Sequence, residues 1–208
     1  MINKSQQSIN ALPLAPQQYL LVLLLGLFII IAALFDSSLS LYLIYSYNAI
    51  SEGEIWRLFT GHLLHTNIYH LLLNLSALIL LWALHGKYYR IKNYALLLLT
   101  TALFTSIGLY VFSPELKLYV GLSGVLHGVF IWGAIKDIQY KDKTGYFLLL
   151  GILIKIMHEQ MVGASAEVIA LIEADVAIDA HLWGALGGMF FSLAYYLNCK
   201  YNPSKTSK

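Results

Sequence analysis

Four polar side chains lie in otherwise apolar runs of this 208-residue chain: His70, Asn74, Ser123 and His181. Their chemistry is that of acyl transfer. A serine hydroxyl is a poor nucleophile at neutral pH and needs an adjacent base. Histidine, whose charge changes near neutrality, can be that base. The serine sits in Tyr119-Val120-Gly121-Leu122-Ser123-Gly124-Val125-Leu126-His127-Gly128, between two glycines, at the start of an apolar run reaching about Ile135. If that run is a helix, Ser123 lies in its first turn, where backbone N–H groups have no intrahelical partner. Those donors and the helix dipole stabilise a developing oxyanion. Glycine neighbours leave room for a substrate backbone. A small-residue packing face on a membrane helix would also produce this stretch. Its spacing differs from the Gly-x-Ser-x-Gly elbow of soluble hydrolases.

The elements that must hold these residues are membrane helices. The chain is 59% hydrophobic and 12% charged, and no polar stretch is long enough for a separate soluble domain. The reading is an all-α polytopic membrane protein of one domain. It comprises a polar tail over 1–18, a membrane domain over 19–198 and a second tail over 199–208. Six spans are expected, at about Tyr19–Phe35, His62 or Asn67 to His85, Tyr94–Phe112, Gly121–Ile135, Tyr146–Met161 and Ala180–Asn198. Asp36–Gly61 and Val162–Asp179 are long connections. Lysine and arginine concentrate at Lys4, in Lys87–Lys92, in Lys136–Lys143 and after Cys199, whereas Asp36, Glu52, Glu54, Glu115, Glu159, Glu167, Glu173, Asp175 and Asp179 mark the alternate connections. The positive-inside rule then puts both termini in the cytoplasm. The lone cysteine, Cys199, excludes an intrachain disulfide.

In that topology the second, fourth and sixth spans run in the same direction, so depth can be counted from their inner charges. Ser123 to Lys136 and Asn74 to Lys87 are each about 20 Å, and His70 to Lys87 and His181 to Asn198 about 25 Å, at the helical rise. Four polar groups on three helices thus share the outer half of the bilayer, where polar groups normally face a bundle interior or a hydrated cavity. Gly124 and Gly128 on one helix, and Gly184 and Gly188 on another, have the small-xxx-small spacing that lets backbones approach. His70 and Asn74, four apart, share a helix face, and both can donate hydrogen bonds to an oxyanion alongside the Ser123 N–H.

Together, Gly121-Leu122-Ser123-Gly124, His70-x-x-x-Asn74 and His181-x-x-Gly184-x-x-x-Gly188 resemble the signatures of rhomboid intramembrane serine proteases, and Glu54-Ile55-Trp56-Arg57 resembles the Trp-Arg element of that family's first outer loop. The resemblance runs from about Ile55 to the end of the sixth helix. It implies Ser123 as nucleophile, His181 as general base, and His70 and Asn74 as oxyanion stabilisers. It also implies an outer loop lying partly in the membrane, and a fifth helix and following loop that gate and cap the site. Trp56 and Arg57 read equally well as interfacial anchors. Where rhomboids commonly carry a tyrosine four residues after the serine, this chain has His127, which leans back over the Ser123 turn. The Leu126-His127-Gly128 sequence and compact size are similar to the rhombosortase branch. Those enzymes are proposed to process exported proteins with a C-terminal Gly-Gly, apolar helix and basic tail.

Other polar residues invite different readings. His62, His65 and His70 could be drawn as a metal cluster, but no carboxylate adjoins them and no His-Glu-x-x-His motif is present; no metal or cofactor is expected. His85 is placed near the inner interface and His158 at the outer end of the fifth helix. Lys155 falls near the bilayer middle, where pairing with Glu159 or snorkelling would accommodate it. The function expected is intramembrane proteolysis in a bacterial inner membrane, with the site opening to the periplasm. Transmembrane or C-terminally anchored proteins would be its partners, with no nucleic acid. The rivals are a general rhomboid protease, a non-proteolytic client-binding relative and a six-span transporter. The last is disfavoured by the apolar inner halves of the helices.

Overall fold

The computed structural model describes residues 12–201. Helix α1, Pro16–Leu34, starts with a proline in its first turn and is closed by the Gln18 side chain, whose Oε1 accepts the Ala15 N–H at 3.0 Å. That placement suits proline, whose missing N–H would have been unpaired there. The helix therefore begins inside the expected polar tail.

The first long connection is not a loop. It folds as α2 (Asp36–Leu43), a two-residue strand β1 (Tyr45–Ser46), α3 (Tyr47–Ser51) and α4 (Arg57–Thr60), followed by a 3₁₀ turn over Gly61–Leu63. No apolar periodicity announces these elements because their backbone is held by side chains. The buried Arg57 guanidinium donates to the Ile44 carbonyl (2.8 Å), the Leu41 carbonyl (2.9 Å) and Glu54 Oε2 (2.5 Å), and Thr60 Oγ1 donates to the Leu43 carbonyl (2.7 Å). Arginine's rigid fork of donors is suited to satisfying several acceptors at once.

Next come α5 (Ile68–His85), α6 (Ile91–Phe112), strand β2 (Leu118–Tyr119), α7 (Ser123–Gln139), α8 (Thr144–Val162), α9 (Ala166–Ile172) and α10 (Ile178–Tyr201). Helix α7 is central and packs on α5, α6, α8 and α10. It runs beyond the expected end at Ile135, because Asp137 is turned inward. Asp137 Oδ2 lies 3.1 Å from Nε2 of the fully buried His85, and Oδ1 accepts the Tyr88 hydroxyl at 2.7 Å. His85, at the end of α5, is thus buried inside the protein. Likewise α10 continues through Cys199 to Tyr201, so the start of the expected second tail is helical.

Helices α7 and α10 touch backbone to backbone. A Cβ built on Gly184 would lie 1.9 Å from the Gly124 carbonyl oxygen, and one on Gly188 would lie 2.2 Å from that of Gly128. On the third side, Thr101 and Thr105 of α6 direct their hydroxyls back to the Leu97 and Thr101 carbonyls. That leaves their methyl groups facing Gly128 and Gly124. Among the described residues, four helical stretches, Pro16–Leu34, Ile68–Tyr88, Ile91–Phe112 and Thr144–Val162, are long and apolar enough to cross a membrane. Helix α7, 17 residues long, and α10 are not among them.

Candidate active site

The strands β1 and β2 fix the approach to α7. Tyr45 pairs with Tyr119 and Ser46 with Leu118, antiparallel, and the Gly121 N–H donates to the Gly61 carbonyl at 3.2 Å. The Gly121 carbonyl accepts the Tyr119 hydroxyl at 2.7 Å, with His62 Nδ1 at 3.3 Å. Gly121 has φ +125°, and a Cβ there would meet the His70 ring at 2.9 Å. Backbone conformation and space both demand glycine at this turn. Ser123 then opens the helix.

Ser123 Oγ lies 3.0 Å from His181 Nε2. The other ring nitrogen, Nδ1, is 2.8 Å from Glu159 Oε2. A carboxylate only accepts, so Nδ1 carries the proton and Nε2 presents its lone pair to the serine hydroxyl. Glu159 Oε1 in turn accepts from Lys155 Nζ at 2.6 Å. The His127 ring stacks on that of His181, with centroids 4.0 Å apart and planes 15° apart, and its Nδ1–H donates to the Ser123 carbonyl at 2.8 Å. Both rings are therefore fixed in orientation.

Across from this pair stands the start of α5. The Asn67 side chain caps the helix by accepting the His70 N–H at 2.9 Å. His70 Nδ1 accepts the Thr66 N–H at 3.4 Å, while the Thr66 hydroxyl donates to the Ile172 carbonyl at 2.7 Å. The Thr66 hydroxyl oxygen also lies 3.1 Å from Nδ1, and Nε2 faces Gly121. Asn74 donates one Nδ2 hydrogen to the His70 carbonyl at 3.0 Å and keeps the second for another acceptor. Two cavities flank Ser123. One of about 170 Å³ is bounded by His70, Asn74, Ser123, His127 and His181, with Val168, Ile172 and Val176 above. Another of about 120 Å³ lies between Ser123, Tyr119 and the stretch 172–177. Helix α9 and its following turn form the cover, held by Asn67 Nδ2 donating to the Leu171 carbonyl at 3.0 Å.

The structure thus gathers Ser123, His181, His70, Asn74 and His127 around one cavity, with Gly121, Gly124, Gly184 and Gly188 supplying the close approaches. Trp56 and Arg57 stand apart. Trp56 donates from Nε1 to the Tyr42 carbonyl at 3.0 Å, and Arg57 staples the first connection. The suspected histidine cluster does not form as drawn. His62 bridges the Gly121 and Ala102 carbonyls, and only His65 and His70 adjoin, with ring centroids 5.0 Å apart. Among the described residues, the group that brings one ligand atom from each residue within 4.8 Å is instead His127, Glu159 and His181. Glu159 is the residue missed. Sequence reading places it in the fifth span as a partner of Lys155 but does not foresee its contact with His181. An ionisable pair, Lys155 and Glu159, inside an apolar helix was the available signal.

Residues 52–198 match the Rhomboid domain family. YdcA of Bacillus subtilis strain 168, itself only provisionally described as a rhomboid protease, is 28% identical over 150 residues, covering 69% of this chain and 68% of that protein. The rhomboid protease GluP of the same organism is 28% identical over 145 residues, covering 70% of this chain but 27% of GluP. The chain belongs to the rhomboid family and is a multi-pass membrane protein of the rhomboid serine protease type.

Proposed function

We propose that Ser123 and His181 are the catalytic dyad of an intramembrane endopeptidase and that His70 and Asn74 stabilise its oxyanion. The observation carrying this reading is the 3.0 Å contact between Ser123 Oγ and His181 Nε2, made between two helices whose glycines leave no slack. His181 takes the hydroxyl proton as Oγ adds to the scissile carbonyl. The carbonyl oxygen becomes negative and receives hydrogen bonds from the Ser123 N–H, His70 Nε2–H and the spare Asn74 amide hydrogen. His181 then gives its proton to the leaving amine, and the C–N bond breaks to leave an acyl-enzyme that water hydrolyses.

The cavity supports a substrate class. Its volume of about 170 Å³, beneath α9 and with Leu73, Leu126, Val168 and Ile172 beside the polar site residues, suits a backbone bearing small residues. A Gly-Gly cleavage region ahead of an apolar helix and basic tail fits it, which is the rhombosortase kind of processing. The topology that accompanies this reading has six spans, α7 and α10 included, with both termini cytoplasmic in a bacterial inner membrane. The site then opens on the periplasmic side, consistent with lysine and arginine gathering at the opposite ends of the helices.

The test pairs fluorophosphonate labelling with cleavage of a reporter ending in Gly-Gly, an apolar helix and a basic tail. Ser123→Ala and His181→Ala should lose both signals. Replacing Gly-Gly by Leu-Leu in the reporter should slow cleavage at least ~tenfold, the order expected when a tight site meets added methylenes. Cleavage surviving in Ser123→Ala would sink the catalytic assignment. Equal cleavage of both reporters would leave a general rhomboid protease.

A further inference from the structure

We propose that Glu159 is the positioning residue of the site, turning the Ser123–His181 pair into a Ser–His–Glu triad, and that Lys155 sets which face of Glu159 meets the histidine. The proposal rests on the catalytic reading of Ser123 and His181 given above.

Three observations carry it. First, Glu159 divides its oxygens: Oε2 meets His181 Nδ1 at 2.8 Å and Oε1 meets Lys155 Nζ at 2.6 Å. Its side chain is 12% exposed and that of Lys155 is 45% exposed, so the acid is turned into the protein and the lysine remains outside. Second, a lysine preceding a glutamate by four residues is the weaker order for an intrahelical pair, so pairing with Lys155 does not by itself draw Glu159 inward. Third, α8 has another tether to α10, since Gln160 Nε2 donates to Asp179 Oδ1 at 3.2 Å. Holding the helices together does not require a carboxylate on the catalytic base.

The consequence is chemical. His181 can accept the Ser123 proton only while Nε2 is bare, and that requires the proton on Nδ1. The Glu159 carboxylate enforces this tautomer and balances the positive imidazolium formed when Oγ attacks. The proton passes from Oγ to Nε2 and on to the leaving amine; Glu159 itself gains and loses none.

Lys155 makes the proposal sharply testable. In Glu159→Gln the ammonium of Lys155 needs an acceptor and holds the amide oxygen toward itself. The amide N–H₂ then faces His181 Nδ1 and converts it into an acceptor. The ring proton moves to Nε2, where it blocks the serine. Removing the lysine as well, in Glu159→Gln/Lys155→Met, frees the amide to turn its oxygen to Nδ1 and restore the working tautomer.

Reporter cleavage would be measured on the full-length protein in detergent micelles, with ¹⁵N-histidine NMR reporting which His181 nitrogen carries the proton. Glu159→Gln should lower kcat by at least ~10²-fold with KM within about threefold, as acid-to-amide changes in soluble triads do by supplying the wrong tautomer. The NMR should show Nδ1–H in the wild type and Nε2–H in the variant. The double variant should recover at least ~tenfold in kcat. Glu159→Asp, which keeps a carboxylate, should retain more activity than Glu159→Gln and the Nδ1–H form; should the amide variant fold poorly, this comparison against Glu159→Ala decides the question. A Glu159→Gln rate within about threefold of wild type would overturn the proposal, as would equal losses in single and double variants with Nδ1–H unchanged. If Ser123→Ala or His181→Ala still cleaved, the dyad itself would fall. If those two are dead while Glu159→Gln is active, only the triad falls.

Discussion

Helices α7 and α10 meet backbone to backbone at their glycines, whereas α8 lies along the bundle with most of its surface free. A Cβ on Gly184 would sit 1.9 Å from a backbone oxygen of α7, but one on Gly151 of α8 would find nothing within 4 Å. Yet each of these unequal regions contributes to the hydrogen-bonded line Ser123–His181–Glu159. The proposed nucleophile and base come from two helices in backbone contact, and the carboxylate comes from a loosely held helix. Rigid packing sets a distance; a peripheral helix can set a tautomer, because a charged hydrogen bond needs only one good contact to do so.

The comparison breaks most visibly at Gly184. Gly184→Ala places a methyl group on the Gly124 carbonyl and forces the helices apart. Overpacking of this kind costs about 1–3 kcal/mol and occasionally more. Separating Ser123 from His181 by about 1 Å should cost on the order of 10² in rate. The thermal unfolding midpoint in detergent and the reporter cleavage rate should therefore fall together. A variant as stable and active as the wild type would mean that the 1.9 Å approach does not set the catalytic distance.

A smaller effect is expected at His127, whose ring lies flat on that of His181. His127→Ala removes both the stack and the donor to the Ser123 carbonyl. Aromatic pairs contribute about 0.5–1.5 kcal/mol beyond their burial, so cleavage should slow by up to about tenfold. His127→Phe keeps a ring and should recover most of that loss. If both variants cleave like the wild type, His127 has no part in orienting the base.

The same contrast explains which residues could be read from the amino-acid order. Packing that depends on absent side chains leaves a mark: Gly124, Gly128, Gly184 and Gly188 recur at four-residue spacing, and Ser123 and His181 stand on the same helices. His70 and Asn74 are legible for a similar reason, being one turn apart in an apolar run. Glu159 is not. Its pairing with Lys155 in the same turn explains it locally, and its second partner, His181, is 22 residues away on another helix. Asp137 is hidden in the same way, behind Lys136 and ahead of more lysines, although it is turned to His85 and Tyr88. The short helices α2, α3 and α4 are equally silent, since Arg57 and Thr60 of α4 hold the carbonyls at the end of α2 through contacts without any periodicity.

The loosely packed side can be tested by changes that should do little. Gln160→Ala removes one exposed hydrogen bond to Asp179, which keeps the Ser113 hydroxyl as a second donor at 2.5 Å. The expected loss is under about 1 kcal/mol, visible as a small drop in the unfolding midpoint with the cleavage rate within about twofold. A larger fall in rate would mean that this tether shares with Glu159 the task of holding α8 on His181.

Gly151→Ala is the least disruptive change and the most discriminating. Its methyl group meets nothing, and alanine is favoured over glycine inside a helix by about 0.8–1 kcal/mol. The unfolding midpoint should hold or rise and the rate should be unchanged. If the variant is instead slow but stable, the added stiffness of α8 has slowed a step that needs this helix to bend, and Glu159 would then leave His181 during each turnover. If it is both stable and fast, α8 can serve as a fixed support, and one helix with little packing of its own is enough to orient the base.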